Sequence, residues 1–141
     1  MVLSTALLSV QNLADALGAI VVMTFSLRDL SDAYVISIDE PPALNDFRSN
    51  AFRDSLYQTI EGFEAPRVAL DLRRVDFLSS SGVAILVGMK RRLEGINGKL
   101  VLFGVQPIVQ DLLRITRLTQ YFTFSDDEAG ALERLRALPP G

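Results

Sequence analysis

Apolar residues fall at two different spacings along this chain, and the spacing switches repeatedly. Val68-Ala69-Leu70-Asp71-Leu72 is a short apolar run of strand length. From Val83 to Leu93 the apolar residues return at helical spacing, with Val83, Leu86, Val87 and Leu93 close to one face. Upstream, Phe25 to Leu27 and Tyr34 to Ile38 read as two strands joined by the polar turn Arg28-Asp29-Leu30-Ser31-Asp32. So short a turn predicts an antiparallel pair. Pro41-Pro42 breaks the chain, and Asn45 or Asp46 then caps a helix running to about Glu61. Its apolar stripe is Phe47, Ala51, Phe52, Leu56, Ile60 and Phe63, and Gly62 and Pro66 end it.

Downstream, Gly95 and Gly98 flank the turn into a strand at Lys99-Leu100-Val101-Leu102-Phe103. Gln106-Pro107 opens a helix with Ile108, Leu112, Leu113 and Ile115 as its apolar side. Tyr121 to Phe124 reads as a short strand, and Ser125-Asp126-Asp127-Glu128 as a capping box for a last helix with Ala129, Leu132 and Leu135. Pro139-Pro140-Gly141 is a tail. Strands alternating with helices from residue 34 onward predict one α/β domain, a four- to five-stranded mixed and mainly parallel sheet with helices packed against it.

Residues 1–24 stand apart. They are apolar with Asp15 as the single charge, and Leu3, Leu7, Val10, Leu13 or Ala14, Leu17, Ile20 and Val21 recur at helical spacing. The expectation is an amphipathic helical extension, then a β-rich start to a domain spanning 25–141. Its apolar face needs cover, from the domain itself or from a second copy in a homodimer. No positive charge opens it as a secretory signal would require, and Gln11, Asn12 and Asp15 argue against a membrane span.

Composition narrows the chemistry. The 141 residues are 49% hydrophobic and 22% charged, enough for a sizeable core and unlike a disordered chain. The net charge of −3 and the lack of a basic block leave nucleic-acid binding without support. The chain has no Cys and no His. That removes the thiolate nucleophile, the Ser-His triad, the usual neutral-pH base and the commonest metal ligand.

Candidate chemistry gathers between the central strand and the central helix, at Phe77-Leu78-Ser79-Ser80-Ser81-Gly82. A serine before a helix accepts a hydrogen bond from an orphan backbone N–H, and the same helix end favours negative charge. These hydroxyls are therefore either a plain cap or a place where a phosphate is tolerated. Asp71 near the strand end and Asp76 in the loop lie where functional groups gather in open α/β sheets, or they are simply solvated acids. A small phosphatase or transferase using these two carboxylates has no base, metal cluster or phosphate loop behind it. Arg73-Arg74 and Lys90-Arg91-Arg92 read as solvated charges, and Tyr121-Phe122 as core.

The run Val75-Asp76-Phe77-Leu78-Ser79-Ser80-Ser81-Gly82, then Gly98-Lys99-Leu100-Val101-Leu102 and Ile115-Thr116-Arg117-Leu118, resembles the STAS domain, and in particular the bacterial anti-sigma factor antagonists. The likeness spans about Phe25 to Leu135. It implies a non-enzymatic, cytoplasmic regulator without a cofactor or metal. Its partner is an anti-sigma factor, often a serine kinase, whose capture frees a sigma factor and ends when a serine at the start of the central helix is phosphorylated. The family motif Asp-Ser-Ser-Gly falls on Ser79, Ser80, Ser81 and Gly82, which makes Ser80 the phosphosite. The implied partner surface is Ser79, Ser80, Ser81, Gly82 and Val83 with Asn45, Asp71 and Asp76, and Lys90 and Arg91 as outer members. Two acids of the family pattern are missing: Ser79 replaces the motif Asp, and Asn45 a second acid before the first long helix. A scaffold that self-associates and is not phosphorylated, or a binder of a small ligand beside the motif, are the alternatives.

Overall fold

The computed structural model describes residues 25–46 and 48–138. The expected N-terminal helix of residues 1–24, the stripe residue Phe47 and the tail 139–141 lie outside the described residues. Five strands form one sheet in the order β1-β2-β3-β4-β5: Phe25–Asp29, Tyr34–Ile38, Arg67–Asp71, Lys99–Phe103 and Thr123–Ser125. β1 pairs antiparallel with β2, and every other pairing is parallel, so the mixed, mainly parallel sheet expected from the pattern is the one found. The tight β1–β2 turn is closed by Asp29, whose carboxylate accepts from the Ser31 N–H at 2.9 Å while Ser31 takes a φ of 75°.

Alternation along the central strands sorts side chains onto two apolar faces, as buried parallel strands require. Ile36, Ile38, Val68, Leu70, Leu100 and Leu102 face one way, toward α2 (Ser49–Glu61), α3 (Ser80–Gly95) and α4 (Pro107–Ile115). Val35, Ala69, Val101 and Phe103 face the other, toward α5 (Glu128–Ala137). A one-turn helix, α1 (Pro42–Asn45), precedes α2. α2 and α3 approach closely at Gly88, where a Cβ would collide with the Tyr57 hydroxyl; that hydroxyl donates to the Ile85 carbonyl at 2.9 Å.

Several local expectations are corrected. The helix after the prolines is split: α1 ends at Asn45 and α2 begins only at Ser49, with Arg48 at the N-cap position but its side chain not bonded to the helix's first N–H groups. Asp46 instead accepts from the Arg48 N–H at 2.9 Å and pairs with its guanidinium at 3.0 Å, so the chain turns there before it coils. Ala51 is exposed, while Phe63 stacks on Tyr34 at 4.3 Å. In α3 the deepest residues are Ile85, Leu86, Met89 and Leu93, with Val83 and Val87 half-buried at the margin. In α4 the buried residues are Val109 and Leu113, whereas Ile108 and Ile115 are 62% and 74% exposed. Tyr121 and Phe122 precede β5 rather than forming it, and Asp127, not Ser125, caps α5 by accepting from the Gly130 N–H at 2.8 Å. Ala131, rather than the exposed Ala129, joins Leu132 and Leu135 in the core. Among the described residues no helix is long and apolar enough to cross a membrane.

Candidate functional site

The site forms at the carboxyl end of β3, where the chain leaves the sheet and enters α3. Leu72, Val75 and Leu78 are buried and anchor the connecting loop to the core, so the polar residues between and after them are held in place. Ser79 is the N-cap, extended at φ −80° and ψ 175°. Its hydroxyl accepts from the Gly82 N–H at 3.1 Å, and its carbonyl accepts from the Val83 N–H at 3.0 Å.

Asn45 arrives from α1 and fastens the loop from the other side. Its Oδ1 accepts from the Ser79 N–H at 2.7 Å, and its Nδ2 donates to the Phe77 carbonyl at 2.8 Å. The residue expected to cap the first long helix is thus a cross-brace to the second. Gly82 is required by this brace: a Cβ there would collide with Asn45 Oδ1 and stand 3.1 Å from Leu78 and 3.4 Å from Leu44.

With Ser79 occupied as cap, Ser80 and Ser81 are left exposed on the first turn. The Ser80 hydroxyl makes no hydrogen bond among the described residues, and it stands where the free N–H groups and dipole of a 16-residue helix favour added negative charge. Beside Ser81 a cleft of about 250 Å³ opens between α2 and α3, lined by Ser49, Asn50, Arg53, Ala84 and Ile85.

The two carboxylates do not converge. Asp71 is buried at the end of β3, where its oxygens accept from the Ser37 hydroxyl at 3.0 Å, the Arg73 N–H at 3.0 Å and the Arg73 guanidinium at 2.7 and 3.0 Å. Burial pushes its carboxyl up, but the Arg73 side chain, the Arg73 backbone N–H and the Ser37 hydroxyl together outweigh that and hold it below the ordinary range. Arg73 also lies 5.6 Å over the Phe103 ring, and its carbonyl accepts from Gln106 Nε2 at 2.9 Å. Asp71 therefore braces the loop from within and offers no free oxygen, while Asp76 is exposed on it. Among the described residues no group of three or more acids could hold a metal ion.

Lys90 is half-buried in the third turn of α3, paired with Glu94 at 3.1 Å and 4.8 Å from the centre of the Tyr121 ring, and Arg91 is exposed beside it. One residue at the site was missed from the sequence. Phe77 is 58% exposed, immediately before the cap, with its carbonyl held by Asn45. A large ring in a polar loop directly before a serine cap was the available signal.

A five-stranded sheet with one antiparallel edge and a serine-bearing helix entrance at its carboxyl end defines the class. The chain matches the STAS domain over residues 24–131 and belongs to that family. Among its relatives, BtrV of Bordetella bronchiseptica, whose name proposes an anti-sigma factor antagonist, is 34% identical over 74 residues, covering 52% of this chain and 64% of BtrV. The anti-sigma F factor antagonist of Paenibacillus polymyxa is 24% identical over 95 residues, covering 67% of this chain and 81% of that protein. The solved structure of an anti-sigma-factor antagonist (STAS) domain protein from Planctomyces limnophilus aligns with a TM-score of 0.71 at 19% identity, over 80% of this chain and 98% of its own, a likeness of fold.

Proposed function

We propose that this chain is an anti-sigma factor antagonist, a non-catalytic binding protein that captures an anti-sigma factor of the serine-kinase type. The capturing surface is the entrance to α3, Ser79 to Val83, with Asn45, Phe77 and Asp76 around it. Asp71 serves it by positioning the loop. Phosphorylation of Ser80 ends the capture. The observation that carries this reading is the division of labour between neighbouring serines. Ser79 takes the cap and leaves the Ser80 hydroxyl exposed and unbonded on the first turn. The names of the curated relatives point the same way.

The physics of the switch follows from that position. A phosphate adds roughly −1.5 to −2 charges. At a helix N-terminus this charge is stabilised, so the fold changes little. Against a partner it must be desolvated or meet the partner's own acids, and either weakens binding. A loss of ~3 kcal/mol lowers affinity more than a hundredfold.

The neutral pair Asn45 and Ser79 favours a second reading, a constitutive binder that the kinase does not modify. Incubation with the cognate kinase and labelled ATP separates the two. The switch predicts label on the wild type and none on Ser80→Ala. Label retained by Ser80→Ala rejects Ser80, and no label on the wild type selects the constitutive binder.

A further inference from the structure

A cleft of about 720 Å³ opens at the β5 edge of the sheet, beyond the carboxyl ends of β4 and β5. The topology puts it there. β2, β3 and β4 are each followed by helices on the first face of the sheet, α4 among them through Val109 and Leu113. β5 is followed by α5 on the second face, through Ala131, Leu132 and Leu135. Parallel neighbours whose following helices part to opposite faces leave a crevice beyond their ends, and ligands of open α/β sheets bind in such crevices. Among the described residues the helices part in this way only between β4 and β5. None of the lining residues belongs to the β3–α3 loop, so the cleft is separate from the Ser80 entrance. Small-molecule sites enclose roughly 300–1,000 Å³, and this cleft falls in that range.

The lining residues select the kind of molecule. Val105, Pro107 and Phe124 form an apolar wall. Two of the acids are already engaged: Asp111 pairs with Arg114 at 2.9 Å, and Asp127 caps α5 through the Gly130 N–H at 2.8 Å. Three groups remain. The Gln110 amide, the Asp126 carboxylate and the Arg134 guanidinium line the cleft, and none of them bonds to another described residue. A free cation and a free anion that do not pair with each other suit a ligand carrying both charges. The guanidinium fork matches a carboxylate, and the Asp126 carboxylate matches an ammonium. An anion alone would meet like charge at Asp126, and a cation alone would meet it at Arg134, so both are selected against.

We infer that the crevice between β4 and β5 binds a small zwitterion, a free amino acid or a dipeptide, with its carboxylate on Arg134, its ammonium on Asp126 and its side chain against Phe124. This site goes beyond the capture of an anti-sigma factor and is read without that partner, so either can fail alone.

Amide NMR titrations of the full chain test it. The probes are the common L-amino acids and glycyl dipeptides, with spermidine as the purely cationic control and glutarate as the purely anionic one. At least one zwitterion is expected to shift the Gly104, Val105 and Gly130 amides saturably, with a Kd of about 1 mM or tighter. Arg134→Ala and Asp126→Asn are each expected to weaken that binding about tenfold or more, as the loss of a charge-assisted hydrogen bond requires. Both residues are exposed, so the amides of β3 and β4 are expected to keep their positions in the two variants. The absence of a saturable shift with every zwitterion overturns the inference, as does binding that survives both substitutions or maps to other amides. Spermidine or glutarate binding as tightly as the best zwitterion overturns it in favour of a plain charged surface.

Discussion

Asn45 and Gly82 show how narrow the tolerances are at the entrance to α3. The Asn45 amide uses both its ends, one as acceptor and one as donor, and Gly82 leaves it just enough room. Adding one methyl in Gly82→Ala forces Asn45 or Leu78 to move, and overpacking of this kind costs about 1–3 kcal/mol. The expected result is a lower urea midpoint together with weaker partner binding. An unchanged midpoint would show that the brace is looser than its geometry indicates. Asp71 gives a pH signature. Its carboxyl titrates below the ordinary range in the folded protein. Its charge therefore stabilises the fold above the unfolded value of about 3.9, and that contribution is lost as pH falls through the folded value. Asp71→Asn is expected to have a lower urea midpoint than wild type at pH 7, with the gap closing toward pH 3. A gap constant with pH would remove the ion pair with Arg73 from the account.

The helices separate what spacing reveals from what packing selects. In α4, Ile108, Leu112 and Ile115 follow one another at positions i, i+4 and i+7, a good apolar stripe, yet the sheet receives Val109 and Leu113 instead. Both stripes exist in the sequence, so periodicity alone does not choose between them. Leu113 is fully buried, and Leu113→Ala is expected to cost about 2–5 kcal/mol. Ile115→Ser is expected to stay within about 0.5 kcal/mol, as exposed substitutions do. Thermal melts of the two variants side by side check this, and a loss at Ile115 equal to that at Leu113 would mean that Ile115 is covered.

For the whole molecule the arrangement gives a rigid platform beneath an exposed Ser80. β3 is buried on both faces, α3 is locked to α2 through Tyr57 and Gly88, and Ser80 rides on their junction without bracing either. A negative side chain at Ser80 should therefore alter binding and spare the fold. Ser80→Asp is expected to melt within about 2 °C of wild type while its affinity for the anti-sigma factor falls on the order of a hundredfold, as roughly 3 kcal/mol of lost binding requires. Titration calorimetry against that partner provides the check. Tight binding by the variant would detach Ser80 from the docking surface.

The alternation of strand and helix, the antiparallel edge at the polar turn, the β3–serine–α3 junction and the absence of imidazole and thiol chemistry were all written in the linear order of residues. They depend on local spacing, turn chemistry and composition, which act between near neighbours in the chain. The roles of Asn45, Asp71 and Phe77 were settled only by folding. Asn45 was readable as a helix cap and Asp71 as a functional acid, because each residue type serves those ends equally well in isolation, and Phe77 carried no role of its own. The partners that decided between roles lie far away in sequence, Asn45 meeting Ser79 across 34 positions and Asp71 meeting Ser37 across another 34. Contacts of that span exist only once the sheet has brought β2 beside β3 and α1 against α3, so no local pattern could encode them.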